Sequence, residues 1–324
     1  MPKAIVSYQP GGPDVLRYED VAVPPPAPGE AQIRHTAAGV NFIDVYQREG
    51  RYPVAGYPAV LGAEGVGVVA AVGSGVTGLR PGARVGYALR APGSYAEVRN
   101  VPASACVALP DSVSDDIAAV LMLKGMTAEY LLHRTHAVRA GDTVLVHAAA
   151  GGMGLLLCQW AKALGARVFG TTSTPEKAKL AREHGCDEVI LYTHEDFAAH
   201  IRDATGERGV DVVYDGVGKA TFQKSLDCLA LFGHLVVYGA SSGAVEPFDL
   251  TKIAARSLSV TRPTLFHYTQ DRSRLEEMAA QTFAAVRSGA VRVAPPERFL
   301  LRDAANAHRK LESRASAGAM VLIP

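Results

Sequence analysis

The sequence lacks any long hydrophobic run: no apolar stretch approaches the ~20 residues that a membrane-spanning helix needs. Its opening, MPKAIVSYQPGG, has no apolar core of a secretory signal. Cysteine is scarce. The four present (Cys106, Cys158, Cys186 and Cys228) lie far apart with no C-x-x-C pair. That spacing excludes a disulfide framework or zinc ribbon and predicts reduced thiols in a cytosolic protein. An excess of charge of one sign is missing too, since 33 basic residues face 32 acidic ones. A net charge of +1 supplies no field to hold a polyanion, which argues against nucleic acid as the main partner. Internal repeats and low-complexity tracts are also absent.

What is present is an ordinary globular composition, 48% hydrophobic and 20% charged with 32 glycines, on a chain of 324 residues. That length exceeds one usual core and predicts two domains. Up to about residue 120 the chain reads as short strands cut by Gly and Pro, including Gln32–His35, Gly65–Val72, Arg84–Tyr87 and Ala96–Val101. This pattern predicts a barrel-like β domain. Near Lys124 the pattern changes to strands alternating with helices. Strands are expected at Thr143–Val146, Arg167–Thr171, Glu188–Tyr192, Val210–Tyr214 and His234–Tyr238. Helices are expected at Leu155–Leu164, Pro175–His184 (capped by Thr174), Glu195–Thr205 and Ala220–Ala230. Such alternation predicts a parallel, doubly wound α/β sheet of Rossmann type. Helices near Arg272–Ser288 and Arg302–Ser313 and a strand at Met320–Ile323 complete the chain. The expected domains are 1–123 with 262–324, β-rich, and 124–261, nucleotide-binding.

The strongest local signal is Val144-Leu145-Val146-His147-Ala148-Ala149-Ala150-Gly151-Gly152-Met153-Gly154, a strand running into a helix through a glycine turn. Aligned to G-x-G-x-x-G, the first glycine is replaced by Ala149. Gly151 lets the backbone approach a pyrophosphate, Gly154 lets helix pack on strand, and the helix N-terminus attracts the anion. Ala150, Gly152 and Met153 belong to the same cradle. The competing reading is a turn that merely packs tightly. The next strand, Val168-Phe169-Gly170-Thr171-Thr172-Ser173-Thr174, ends without the acidic residue that receives the ribose hydroxyls of NAD. A 2′-phosphate therefore meets no repulsion, Ser173 can donate to it and Lys177 can neutralise it, which favours NADPH. Tyr192, ending the third strand, is placed against the same phosphate, and Gly239-Ala240-Ser241 at a later strand end is placed where cofactor crosses the sheet.

Further segments are more specific. They include Gly11-Gly12-Pro13-Asp14-Val15-Leu16, Gly39-Val40-Asn41-Phe42-Ile43-Asp44 and Leu123-Lys124-Gly125-Met126-Thr127-Ala128. Val213-Tyr214-Asp215-Gly216-Val217-Gly218 and Val260-Thr261-Arg262-Pro263 extend the set. Through them the chain resembles, over essentially its whole length, the medium-chain dehydrogenase/reductases. Within these it resembles the zinc-free bacterial quinone oxidoreductases related to zeta-crystallin. The resemblance implies a GroES-like β domain beside the Rossmann domain. Zinc alcohol dehydrogenases of that superfamily ligate catalytic zinc through an early Cys and the His of a Gly-His-Glu turn. The matching places here are Asn41 and the Ala63 of Gly62-Ala63-Glu64, neither a useful zinc ligand. The four-cysteine lobe for structural zinc is missing, and the ten histidines form no H-x-x-x-H or H-E-x-x-H set. No metal is expected. Oxidising an alcohol without a Lewis acid is hard, whereas a quinone or an enone accepts hydride readily.

The resemblance further implies a cleft between the domains with nicotinamide against the β domain, lined by Asn41 and Tyr46. Tyr52 is the second tyrosine near that mouth. A phenol there could donate to the acceptor oxygen as charge develops; alternatively each ring simply packs. Thr127 is implied near the nicotinamide, with helix capping as its plain alternative. Arg262 and Arg314 either reach cofactor, close the cleft, or form surface salt bridges. Asp44 and Glu64 look like paired carboxylates, though Glu64 reads better as a structural ion-pair partner. Cys158 and Cys228 read as buried apolar groups. The family commonly pairs through its nucleotide-binding sheets, so a homodimer is expected, with Leu258–Thr261 as the suspected edge. The leading activity is hydride transfer from NADPH to a quinone. Reduction of an alkenal or enone double bond is the alternative, and a non-enzymatic nucleotide-binding protein the third.

Overall fold

The computed structural model describes residues 1–313 and 317–324. The chain separates into two compact units. One comprises Met1–Met126, Tyr268–Phe283 and Val293–Pro324, the other Thr127–His267 and Ala284–Arg292.

The first unit is built from two sheets. A three-stranded antiparallel sheet orders Arg17–Asp20, Lys3–Ser7 and Ala59–Val60. A seven-stranded sheet runs Glu297–Leu300, Met320–Ile323, Glu30–Gly39, Glu64–Val72, Arg84–Ala88 and Val107–Ala108, with Val98–Pro102 on a second side of Glu30–Gly39. Alternation explains the long strand Glu30–Gly39, in which Ala31, Ile33, His35 and Ala37 are buried while Arg34 between them is exposed. Ile33, Val69, Val85, Tyr87 and Val101 fill one core, each such side chain contributing about 1.5–3 kcal/mol on burial. The short helix Phe42–Arg48 has Asn41 as its N-cap residue. Asp115–Val120 follows later, with Ser114 Oγ accepting from Ile117 N–H.

The second unit is a six-stranded, all-parallel sheet in the order Glu188–Leu191, Arg167–Thr172, Thr143–Val146, Val210–Asp215, Leu229–Val237, Ser259–Thr261. The chain leaves the central strand Thr143–Val146 toward one edge and then returns to its other side. Between Thr143–Val146 and Val210–Asp215 lies the switch point where α/β sheets bind ligands. Leu145, Phe169, Ile190, Val213 and Leu235 pack with Phe197, Ile201, Phe222 and Leu226 of the covering helices. Thr174 does cap the helix Pro175–Glu183, and Asp196 caps Phe197–Ala204.

Three elements differ from the sequence expectation. The helix anticipated over Ala220–Ala230 is confined to Phe222–Asp227, because Leu229 already pairs with Val210. The strand anticipated over His234–Tyr238 begins at Leu229, with Phe232 at φ 63° and the register shifted between Val210 and Val212. A bulge of this kind carries no periodic signature in sequence. The helix expected over Arg302–Ser313 is likewise split, into a 3₁₀ turn Leu301–Asp303 and an α-helix Ala304–Glu312.

Candidate functional site

The glycine turn leaves the central strand of the parallel unit. The left-handed residue is Ala148 (φ 52°) rather than a glycine, and its carbonyl accepts from Gly151 N–H at 2.9 Å. A non-glycine there is strained, and such strain persists where the surroundings over-determine it. A Cβ on Gly154 would sit 2.3 Å from Ala148 O and 2.7 Å from Ala149 Cα. Helix Gly152–Ala163 therefore packs on the turn more closely than any side chain allows. No side chain caps that helix, the condition in which first-turn N–H groups face an anion.

Behind the turn stands a residue that the sequence reading passed over. His147 is fully buried, Nδ1 2.9 Å from Thr171 Oγ1 and Nε2 2.9 Å from Ser225 Oγ. Ser225 spends its own proton on Thr221 O, so His147 Nε2 carries the hydrogen and Nδ1 accepts from Thr171. Burial lowers its basicity and keeps it neutral. Asp215 is the second such residue. Its Oδ1 accepts from the N–H groups of Val217 (2.7 Å) and Gly218 (3.0 Å), and its Oδ2 from Thr221 Oγ1 (2.7 Å).

At the ends of the neighbouring strands the structure brings the Ser173 and Tyr192 segments side by side, and Lys177 follows in the next helix with its backbone N–H on Thr174 Oγ1 at 3.3 Å. Thr172 and Leu191 are register partners, Tyr192 N–H donates to Thr172 O at 3.2 Å, and Thr193 Oγ1 donates to Ser173 O at 3.1 Å. Tyr192 is exposed, Ser173 and Lys177 are half-buried. Thr172 Oγ1 is buried there without a hydrogen-bond partner. Gly239 packs backbone to backbone, since a Cβ on it would lie 2.5 Å from Gly216 O. Ser241 N–H donates to that same Gly216 oxygen at 3.2 Å, which fixes Ala240 between them. Arg262 donates to Val237 O (2.9 Å) and Gly239 O (3.3 Å), tying it to this strand end. Thr127 is buried within a continuous run of helical turns and caps nothing. Arg314 lies outside the described residues.

In the β-rich unit, Asn41 precedes helix Phe42–Arg48 in extended conformation (φ −137°, ψ 155°). Its backbone N–H donates to Asp44 Oδ2 at 2.8 Å and its Nδ2 to Glu64 Oε2 at 3.0 Å. Asp44 also accepts from Ala63 N–H (2.9 Å) and Tyr95 OH (2.9 Å). Glu64 also accepts from Leu123 N–H at 2.6 Å, and Lys124 Nζ stands 3.9 Å from it. Gly39 makes room for this, because a Cβ there would lie 2.1 Å from Glu64 Oε2. Burial pushes Asp44 up to about 7, against the pull of its three donors. Burial also raises Glu64, opposed by Lys124, and lowers Lys124, opposed by Glu64 and Asp44. Glu64 is thus chiefly a hydrogen-bond acceptor, with its cation at arm's length.

Tyr46 and Tyr52 form a pair, their rings edge to face with centroids 5.2 Å apart, and the Arg51 guanidinium lies 4.4 Å over the Tyr46 ring. Tyr46 is buried and Tyr52 is 38% exposed. A polar ladder beyond Asp44 was invisible in the sequence. Tyr95 OH lies 3.2 Å from His308 Nε2, and Arg48 Nη1 donates to His308 Nδ1 at 3.1 Å. Glu312 holds Arg48 with two contacts of 2.8 Å. Its members come from opposite ends of the chain, so no local pattern marks them.

For zinc the donor set does not fit. At the two matching positions an amide is spent on Glu64 and an alanine offers nothing. Among the described residues no three His, Cys, Asp or Glu side chains gather as a metal site.

Comparison with known proteins agrees with this layout. Residues 27–140 match the family Alcohol dehydrogenase GroES-like domain, and residues 152–284 the family Zinc-binding dehydrogenase. The chain is 47% identical to a quinone oxidoreductase of Pseudomonas aeruginosa over 97% of each. It is 46% identical to a 2-haloacrylate reductase of a Burkholderia species, over 100% of this chain and 99% of that one. The solved structure of Escherichia coli quinone oxidoreductase complexed with NADPH superposes with a TM-score of 0.97 at 43% identity, covering 99% of this chain and 100% of that one.

Proposed function

This chain belongs to the medium-chain dehydrogenase/reductase family, among its quinone oxidoreductases, and we propose that it passes hydride from NADPH to a quinone. The observation that carries this reading is the turn at Ala148–Gly154, which excludes side chains by contact, beside a strand end without a carboxylate. When bound, NADPH supplies the hydride. The backbone of Ala150, Gly151, Gly152, Met153 and Gly154 holds its pyrophosphate, aided by the helix N-terminus. Ser173 donates to the 2′-phosphate, Lys177 neutralises it and Tyr192 flanks it. Gly239, Ala240, Ser241, Arg262 and Arg314 serve the cofactor's remaining length, and Thr127 and Asn41 its nicotinamide. Tyr46 and Tyr52 orient the acceptor, the Tyr52 phenol meeting its oxygen.

A second reading is favoured by the likeness to a 2-haloacrylate reductase: the same hydride reduces a carbon–carbon double bond conjugated to a carbonyl. The protein acts in the cytoplasm as a zinc-free homodimer. Ser259–Thr261 is the outer strand of the six-stranded sheet, the edge at which two sheets would join, and among the described residues no helix is long and apolar enough to cross a membrane. The experiment is NADPH oxidation with a panel of quinones and conjugated enals, each repeated with NADH. Faster turnover with quinones and NADPH is expected. Purified protein that fails to bind NADPH overturns the reading, and one tightly held zinc per chain overturns its metal-free form. Sedimentation of a monomer alone at micromolar concentration removes the dimer.

A further inference from the structure

Among the described residues, Lys124 is the charged side chain beside Asn41 whose hydrogen bonding is incomplete. It is 7% exposed, yet of its three N–H donors only one has a hydrogen-bonded acceptor, Val40 O at 3.1 Å. A structural counter-ion would close on its carboxylate at normal hydrogen-bond distance. Lys124 stays 3.9 Å from Glu64 Oε2, and that oxygen is occupied by Asn41 Nδ2 at 3.0 Å. Asp44, the other carboxylate facing it, is filled by Asn41 N–H, Ala63 N–H and Tyr95 OH. A buried ammonium with donors to spare is costly, and it persists where it has a use. The backbone agrees. Lys124 sits in a π-helical turn, Leu121–Gly125, wedged between the α-helical stretches Asp115–Val120 and Met126–Tyr130. Such widened turns re-aim a side chain and recur at functional sites.

We propose that Lys124 is the proton donor to the acceptor's oxygen, a fixed cation standing beside Asn41 where metal-dependent relatives place a Lewis acid. The assignment rests on the hydride-transfer reading above. In the step, hydride reaches the acceptor and negative charge gathers on its oxygen. An N–H bond of Lys124 breaks as the O–H bond forms, and the neutral amine then regains a proton from water. Burial makes the ammonium more acidic than an ordinary lysine, opposed by Glu64 and then Asp44. Tyr95 and, behind it, His308 face Asp44 and not the ammonium. Deprotonation of Lys124 therefore sets an alkaline limb on kcat.

The test uses the full chain. Lys124→Met should lower kcat for quinone reduction at least about a hundredfold, with the KM for NADPH changed less than about threefold. Lys124→Arg should keep only the part of kcat that a fixed positive charge supplies and lose the alkaline limb, because a guanidinium holds its proton. A wild-type limb in Lys124→Arg, or near-normal kcat in Lys124→Met, overturns the assignment; should the Met variant fail to fold, the Arg variant still decides. A readout independent of turnover is para-nitrophenol, which resembles the reduced acceptor. The wild-type protein should bind it as phenolate, read by its visible absorbance, and Lys124→Met should not. Absence of the phenolate signal in wild type overturns the role of Lys124. A normal phenolate signal with no turnover of any acceptor overturns the hydride-transfer reading and leaves Lys124 as an oxyanion site.

Discussion

The glycine turn of the parallel unit and the carboxylate cluster of the β-rich unit are built on opposite principles. The turn works by omission: Gly154 leaves no room for a Cβ beside Ala148 O, and no side chain caps the helix that follows. The cluster works by saturation. Asp44 and Glu64, both fully buried, are surrounded by donors from Asn41, Ala63, Tyr95 and Leu123. The first is a turn shaped by sterics and backbone dipoles. The second is held by charge in a dry place, where every missing partner is expensive. The contrast teaches that within one chain a tight strand-to-helix turn needs almost no side chains, whereas fixing one amide at Asn41 recruits a whole polar shell.

The sharpest way to break this comparison is Glu64→Ala. It removes the acceptor of Asn41 Nδ2 and Leu123 N–H and leaves Lys124 without its nearest anion. A loss of about 3–5 kcal/mol in unfolding free energy is expected by denaturant titration; a loss below about 1 kcal/mol would mean that the cluster is ornamental. Next comes Gly154→Ala, whose methyl would meet Ala148 O at 2.3 Å. Overpacking of this kind costs about 1–3 kcal/mol, and NADPH binding, read by fluorescence titration, should weaken tenfold or more (about 1.4 kcal/mol). Unchanged affinity would show that the turn does not cradle the nucleotide.

Lys177→Ala sharpens the comparison from the cofactor side. The KM for NADPH should rise about tenfold with kcat nearly constant, while the KM for NADH stays put. An unaltered preference between the two would remove the phosphate contact.

The smallest effect expected is in pH dependence. Burial, with Arg48 beside it, pushes His308 from 6.5 down to about 3. Above pH 6.5 the imidazole is neutral in both folded and unfolded chains. Below it the unfolded chain takes up a proton that the folded chain refuses, so stability falls with pH by at most about 1.4 kcal/mol per unit. Asp44 acts in the reverse sense. Its folded carboxyl, raised from 3.8 to about 7, holds a proton that the unfolded one has released, so its contribution falls as pH rises through that window. His308→Gln should therefore narrow its deficit in Tm against wild type as pH drops from 7 to 4. A constant gap would show that His308 titrates normally.

Much of this was legible in the residues themselves. Periodicity marked the parallel strands, Thr174 and Pro175 marked their helix, and the absence of an acid after Thr172 pointed to the 2′-phosphate. These signals are local, set by propensity, capping and turn chemistry over a few neighbours. The π-helical turn under Lys124 and the bulge at Phe232 escaped because each interrupts an otherwise regular pattern with extra residues that leave no periodic signal. The ladder from Asp44 through Tyr95 and His308 to Arg48 escaped for another reason: its bonded neighbours are separated by up to 260 positions.

By itself, then, the sequence determined the two architectures, the place of the glycine turn and the loss of zinc ligands at Asn41 and Ala63. Tertiary structure alone decided which carboxylates hold Asn41, that Lys124 is left with donors unspent, and that His147 and His308 are neutral struts. The physical reason is that secondary structure answers to nearest neighbours, whereas hydrogen-bond satisfaction and pKa depend on what distant strands bring within 3 Å and on how completely they exclude water.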